Sequence, residues 1–242
     1  MTGIRLDHYL VEAGLSPTRS QAREAILRGA VTVDGVPVRR AGVRVPPGAA
    51  VAAEADGYVS RAARKLAAAL DHYRIDPAGA SALDVGASTG GFTEVLMLRG
   101  AARVIALDVG HGQLAPALAA DPRVVVMEGV NARHLQPGDL AFAPDLVVAD
   151  VSFISLTLAL PPALSLAAPE AKVVALVKPQ FEVGPERVGK GGIVRDDGAA
   201  LSAVERVAAM LSAAGWRPCP AIPSPIAGGD GNREWLIAAE RP

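Results

Sequence analysis

With 242 residues, half of them apolar and 4% aromatic, the chain is long enough for one large domain and one small one, each with its own core. A single cysteine, Cys219, excludes an internal disulfide and a cysteine-based metal cluster, and fits a reducing compartment. The net charge of −1 hides an asymmetry: residues 1–74 carry 11 Lys and Arg against 7 Asp and Glu, residues 75–242 carry 13 against 18, and the basic part points to a nucleic-acid partner.

The first residues, Met1-Thr2-Gly3-Ile4-Arg5, contain no apolar core of signal-peptide length. The nearest approach to an apolar span, Ile154 to Pro169, is interrupted by Pro161-Pro162 and falls short of the roughly 18 residues a bilayer requires. The expectation is a cytoplasmic monomer with no membrane partner.

Leu6, Tyr9 and Leu10 recur at helical spacing over residues 5–13, and Gly14 ends that helix. Thr18 is placed to cap a second helix, Arg19 to Arg28, which Gly29 stops. Val31-Thr32-Val33 alternates as a strand, Asp34-Gly35 is a hairpin turn, Val36 to Val38 returns, and a short strand follows at Ala50 to Ala53. This unit closes at residue 54, residues 55–59 read as a linker, and Ser60 is placed to cap a helix reaching Tyr73. Beyond it, strands are predicted at Ala82–Val85, Val104–Asp108, Val124–Met127, Leu146–Asp150, Val173–Val177 and Leu236–Ala239, with helices between most of them. That alternation predicts an α/β domain over 60–242 with a parallel sheet covered on both faces.

Strand Leu83-Asp84-Val85 runs into Gly86-Ala87-Ser88-Thr89-Gly90-Gly91-Phe92, and a helix follows from Thr93 to Arg99. Glycines at a strand end let a ligand approach the backbone. A phosphate-binding P-loop would need Gly-Lys-Ser/Thr, which is absent, and a dinucleotide fingerprint would need a glycine where Ser88 stands. Asp84 suits a ligand bearing an amino group, and would repel a pyrophosphate. Asp108, ending the next strand, can accept ribose hydroxyls. A glycine-rich turn that binds nothing is the plain alternative.

Asp150 ends one apolar strand and Lys178 the next, so both should project at the carboxyl edge beside that loop. A lone lysine there is usually a snorkelling surface residue. Pro179, Gln180 and the neighbouring acid favour a buried, paired one. Lysine can take a proton from a hydroxyl only where burial or a second cation favours its neutral form. His8, His72, His111 and His134 lack metal-ligand spacing, so no metal is expected; Trp216 and Trp235 read as packing residues.

Together these segments resemble the TlyA family of ribosomal RNA 2′-O-methyltransferases, historically called hemolysin A proteins, over nearly the whole chain. Arg5-Leu6-Asp7-His8-Tyr9-Leu10, Thr18-Arg19-Ser20-Gln21-Ala22-Arg23 and Gly29-Ala30-Val31-Thr32-Val33-Asp34-Gly35 look like its S4 RNA-binding domain, with Thr18 for the usual serine. Residues 60–66, Gly86 to Thr93, Asp108 to Leu114, Glu128 to Asn131, Gly189 to Arg195 and Ser224 to Glu234 look like its FtsJ-type methyltransferase domain, with His111 where tyrosine is common.

The resemblance implies a Rossmann-like fold, S-adenosylmethionine as methyl donor and a catalytic Lys-Asp-Lys-Glu set at Lys65, Asp150, Lys178 and Glu234. Lys178 would accept the proton, Lys65 and Glu234 would orient the ribose and tune Lys178, and Asp150 would stand between donor and lysines. Lys65 and Glu234 enter only through the resemblance; unaided, they read as surface charges. The donor residues implied are Asp84, Gly86, Ala87, Ser88, Thr89, Gly90, Gly91, Phe92, Asp108, Val109, Gln113, Glu128, Asn131 and Asp150. Arg5, Arg19, Arg23, Arg28, Arg39 and Arg40 are expected to meet phosphates of ribosomal RNA, positioning by backbone and shape. The competing readings are a membrane-active cytolysin, for which no spanning or basic amphipathic helix is visible, and a ribosome assembly factor without catalysis.

Overall fold

The computed structural model describes residues 3–16, 19–27, 29–53, 57–229 and 231–242, with the side chains of all of these but 20, 21 and 24. The expected cap Thr18, the arginine at 28 and linker residues Ala55 and Asp56 lie outside the described residues. The chain divides into two compact units, Met1–Ser60 and Arg61–Pro242.

In the first unit, α1 (Leu6–Glu12) and α2 (Arg19–Leu27) precede β1 (Val31–Val33), β2 (Val36–Pro37) and β3 (Val51–Ala53), which form an antiparallel sheet in the order β2-β1-β3. Asp34 and Gly35 both take positive φ, 53° and 78°, so the hairpin closes through the two-residue turn that Asp-Gly favours. Leu6, Leu10, Ala22, Ile26, Val31, Ala41 and Val45 make its core.

The second unit opens with α3 (Ala62–Tyr73), which starts two residues after the expected cap Ser60. It continues as β4 (Ser81–Val85), α4 (Gly91–Leu98), β5 (Arg103–Asp108), α5 (Pro116–Ala119), β6 (Val124–Glu128) and β7 (Leu146–Ala149). Then come α6 (Leu156–Ser165), β8 (Lys172–Val177), α7 (Pro179–Glu182), α8 (Asp197–Ala213), β9 (Arg217–Pro218), β10 (Ile222–Pro223) and β11 (Trp235–Glu240). The sheet order is β10-β11-β8-β7-β4-β5-β6, with β9 also on β11. β6, β5, β4, β7 and β8 are parallel, and β11 runs antiparallel beside β8. β5, β4, β7 and β8 are largely buried apolar runs, as strands covered on both faces must be, while the edge strand β6 leaves Val125 and Val126 exposed.

Pro161 and Pro162 do not interrupt their stretch: α6 passes through both. Each proline removes one helical hydrogen bond and costs about 3 kcal/mol in a free helix. Leu156, Leu160 and Leu164 on the same helix are essentially fully buried, and burying one leucine returns about 1.5–3 kcal/mol. Ser155 caps the helix by accepting the Thr157 N–H at 3.1 Å.

Candidate active site

Strand order reverses at β4: the chain moves to β5 on one side and later returns to β7 on the other. A crevice opens outside the carboxyl ends of strands at such a point. Alternation then sorts the side chains. Leu83, Val85, Ile105, Leu107, Val147, Ala149, Val173, Ala175 and Val177 enter one core with α6 and α8. The in-register partners place Asp84 and Asp108 on the opposite face, and the same alternation carried past the strand ends reaches Asp150, Lys178 and Glu234. The sheet thus gathers its polar residues along one edge of one face.

The loop after β4 is shaped by contact. Gly86 has φ +88°, and a β-carbon there would lie 2.6 Å from the Asp150 carbonyl oxygen. Gly90, at φ +97°, would put one 2.4 Å from Leu118 Cδ1. Gly86 is therefore demanded by space as well as by φ, since the atom it would meet is backbone, whereas Gly90 is demanded by φ and the leucine side chains beside it could shift. Asp84 is wholly buried, and its Oδ2 accepts the Thr93 hydroxyl at 2.7 Å. Its Oδ1 is buried without any partner. Burial, reinforced by the nearby Asp150 and Asp108 carboxylates, pushes the Asp84 carboxyl up to about 7, against the pull of the Thr93 hydrogen bond.

The other two acids of the loop cluster are committed to backbone. Asp108 Oδ2 accepts the Ser88 N–H (2.8 Å) and Oδ1 the Gly110 N–H (2.7 Å). Glu128 accepts Gly112, Gln113 and Leu114 N–H groups at 2.5, 2.9 and 3.2 Å, which hold its carboxyl below the usual range. Gln113 bridges the two turns, accepting the Ser88 hydroxyl at 3.2 Å. Ala87, Thr89 and Gly91 belong to the same loop and helix start, Val109 is exposed beside Asp108, and Phe92 is buried in the first turn of α4. Asn131 caps the turn Ala132–His134 through the Arg133 N–H at 3.1 Å.

Two lysine–carboxylate pairs complete the edge. Lys65 Nζ donates to Glu234 Oε2 at 2.5 Å, with both side chains almost excluded from solvent. Lys178 Nζ lies 2.7 Å from Asp150 Oδ1 at an angle that makes an ion pair and no hydrogen bond. The hydrogen bond of Lys178 goes to Ser152 Oγ, at 2.8 Å.

Sequence reasoning missed the residues that hold these groups. Ser152 is one. Glu182 is another: buried, it accepts the Ser155 hydroxyl at 2.5 Å and the Leu156 N–H at 2.8 Å, fixing the far end of the loop that begins at Asp150. Within that loop Phe153 takes φ +64°, is 92% exposed, and meets Phe181 at 5.3 Å between ring centroids. Asn232, 1% exposed, donates to Gly192 O and accepts the Val194 N–H, at 2.8 and 2.9 Å. It so ties the Gly189–Val194 segment to the turn bearing Glu234. The available signal was polar residues amid apolar neighbours, as in Phe181-Glu182-Val183.

In the first unit, Arg5 and Arg19 both bond Asp7, Arg39 lies against Gly29, and Arg23 and Arg40 are exposed. Among the described residues no helix is long and apolar enough to cross a membrane, and no cluster of His, Cys, Asp or Glu is arranged to hold a metal.

Residues 58–241 match the FtsJ-like methyltransferase family, and residues 4–51 match the S4 domain. A Mycobacterium tuberculosis protein named 16S/23S rRNA (cytidine-2′-O)-methyltransferase TlyA is 47% identical, over 96% of this chain and 88% of its own length. Hemolysin A of Brachyspira hyodysenteriae is 38% identical, over 96% and 98%. A solved chain from Streptococcus thermophilus superposes with a TM-score of 0.80 at 38% identity, covering all of this chain and 89% of that one. The edge that gathers Asp84, Lys65, Asp150, Lys178 and Glu234 thus lies in a chain that belongs to the FtsJ-like methyltransferase family, behind an amino-terminal S4 domain.

Proposed function

We propose that this chain transfers a methyl group from S-adenosylmethionine to the 2′-hydroxyl of a cytidine in ribosomal RNA. The observation that carries the reading is the pairing of two lysines with two carboxylates, Lys65 with Glu234 and Lys178 with Asp150, at the same sheet edge as the Asp84 loop.

S-adenosylmethionine, when bound, supplies a methyl group on a cationic sulfur. The chain fits such a donor in one respect: Asp84 Oδ1 is a buried acceptor with no partner, suited to an ammonium. Gly86 packs the loop tightly against the Asp150 backbone beside it. Asp84 would take the amino acid end. Asp108, whose oxygens keep lone pairs after serving Ser88 and Gly110, would take the ribose, and Val109 would lie against the base. Glu128 and Asn131 would act one step back, by holding the turns that Gly110–Leu114 and Ala132–His134 form.

Lys178 receives the proton that the ribose hydroxyl gives up as its oxygen gains the methyl group. Ser152 suits that task, because a hydroxyl can accept from an ammonium and donate to an amine, and so holds Nζ in both states. Asp150, set against Gly86, holds Lys178 beside the donor loop. Lys65 and Glu234 present a fixed charge pair to the ribose. The rate gain such a site can supply is to hold the acceptor oxygen in line with the donor's methyl–sulfur bond, with Lys178 to one side in reach of the hydroxyl proton.

The S4 match supports RNA as the acceptor, and the Mycobacterium tuberculosis relative is named for cytidines of 16S and 23S RNA. With ribosomal RNA as its acceptor, the enzyme would work in the cytoplasm. Mapping 2′-O-methyl groups on both RNAs, with and without the protein, tests the reading. The expected result is a cytidine methylated only in its presence; identical maps would overturn it.

A further inference from the structure

Five acidic side chains are buried among the described residues: Asp7, Asp84, Asp108, Glu182 and Glu234. Two are paired with cations, Asp7 with Arg5 and Arg19, Glu234 with Lys65. Asp84 and Asp108 serve the donor loop, through Thr93 and Ser88. Glu182 makes no ion pair among the described residues and takes no part in that loop. It closes α7, four residues after Lys178, and its two oxygens accept the Ser155 hydroxyl at 2.5 Å and the Leu156 N–H at 2.8 Å. Arg206, on α8, donates instead to the Glu182 main-chain carbonyl, at 2.7 Å.

Leu156 is the first residue of α6, and the dipole of a helix favours a carboxylate at that end. This accounts for an acid near Leu156 but not for a buried one. The helix already has its cap in Ser155, water can satisfy a first-turn N–H at an open helix end, and taking a carboxylate out of water without a cation is costly.

What the burial achieves is a clasp. Residues 178–182 meet the loop from Asp150 to Leu156 all along its length: Lys178 with Asp150 and Ser152, Phe181 with Phe153, and Glu182 with Ser155 and Leu156. In the middle of the loop Phe153 holds φ +64°, a left-handed conformation that strains a bulky residue and persists only where its surroundings impose it. The sheet imposes the near end, through Asp150 N–H to Val85 O at 3.0 Å. Glu182 imposes the far end, and the Arg206 bond holds α7 in turn from α8.

We propose that Glu182 is a positioning residue for methyl transfer: it clamps the far end of the Asp150–Leu156 loop, and so fixes Ser152 and Asp150, which aim the Lys178 nitrogen at the ribose hydroxyl. The assignment rests on the reading of Lys178 as the proton acceptor. It adds to the two lysine–carboxylate pairs a residue that acts through others.

The experiment measures methyl transfer to purified ribosomal subunits by the full chain, with donor in excess, at a temperature where circular dichroism shows each variant folded. Calorimetry gives the affinity for S-adenosylmethionine. Glu182→Ala should slow transfer by about 10- to 100-fold, the cost of misplacing a reacting group by about 1 Å, with donor affinity at the wild-type value. A brace for stability alone would lower Tm and leave the rate of the folded chain unchanged. Glu182→Gln keeps an acceptor for the Leu156 N–H and turns an amide to the Ser155 hydroxyl, which can accept as well as donate; it should recover most of the rate. Coupling identifies the route. Ser152→Ala should cost about tenfold in the wild type and much less in Glu182→Ala, where the bond it removes is already misplaced. If Glu182→Ala does not fold, Ser155→Ala opens the clasp from the loop side, and slower transfer with wild-type donor affinity is again expected. Wild-type transfer in a folded variant that lacks the clasp, or the full cost of Ser152→Ala repeated in Glu182→Ala, overturns the positioning role alone. A wild-type chain that methylates neither subunit overturns the functional reading on which it rests.

Discussion

Lys65 Nζ and Glu234 Oε2 meet at 2.5 Å across 169 residues of sequence, in surroundings that exclude water from both side chains. Taking two charges out of water costs several kcal/mol each, and their attraction does little more than return it. The pair is therefore better understood as a placed dipole than as a source of stability. Glu234→Ala leaves the ammonium of Lys65 buried alone and should cost about 3–5 kcal/mol, visible as a lower Tm. The double replacement Lys65→Met with Glu234→Leu should recover most of that Tm and none of the methyl transfer. Recovery of transfer as well would show the pair to be packing only.

The second pair differs in kind. Lys178 keeps some access to solvent and has two partners, Asp150 and the Ser152 hydroxyl. Lys178→Ala should abolish methyl transfer to ribosomal subunits while calorimetric binding of S-adenosylmethionine survives. Ser152→Ala should slow transfer by about tenfold, one lost hydrogen bond to a charged group, with both KM values nearly unchanged. Ser152→Thr keeps the hydroxyl and should recover much of the rate. Full activity in Lys178→Ala would end its assignment as proton acceptor.

Asp150 and Lys178 were legible because each ends an apolar strand, and the register of a parallel sheet brings such ends to one edge. Lys65 and Glu234 were not: Lys65 lies in an alanine-rich helix with no local mark of burial, and its partner belongs to the far end of the chain. Ser152, Glu182 and Asn232 escaped for the same reason, since their bonds join segments 26 to 40 residues apart. β9 and β10 have two residues each, too few to show a period of two. Pro161 and Pro162 misled because the core that α6 enters is set by strands distant in sequence.

Gly86 tests how closely the two strand ends are fitted. Its missing β-carbon would stand 2.6 Å from the carbonyl oxygen of Asp150, which backbone cannot yield cheaply, and its φ is +88°. Gly86→Ala should lower stability by about 1–3 kcal/mol through strain and displace the Asp150 backbone. Methyl transfer should fall further than Tm alone accounts for, measured at a temperature where the variant is fully folded. Wild-type transfer there would mean that the loop has slack.

Asp84 predicts how donor binding depends on pH. An ordinary aspartate titrates near 3.9, and burial pushes this one up to about 7. Its folded value is raised, so its contribution to stability is complete below about 4 and is lost as pH rises through about 7. The donor-free chain should therefore lose stability across that window, and Asp84→Asn should flatten the loss. An ammonium placed against Oδ1 reverses the preference, because it favours the carboxylate. Donor affinity should rise with pH up to about 7, with a proton released on binding below it, and decline once the donor's own amino group deprotonates near 8. Calorimetry in buffers of different ionisation enthalpy reads that proton directly. A donor affinity flat from pH 5.5 to 7.5, with no proton released, would remove Asp84 from contact with the amino group and assign its buried oxygen to the loop alone.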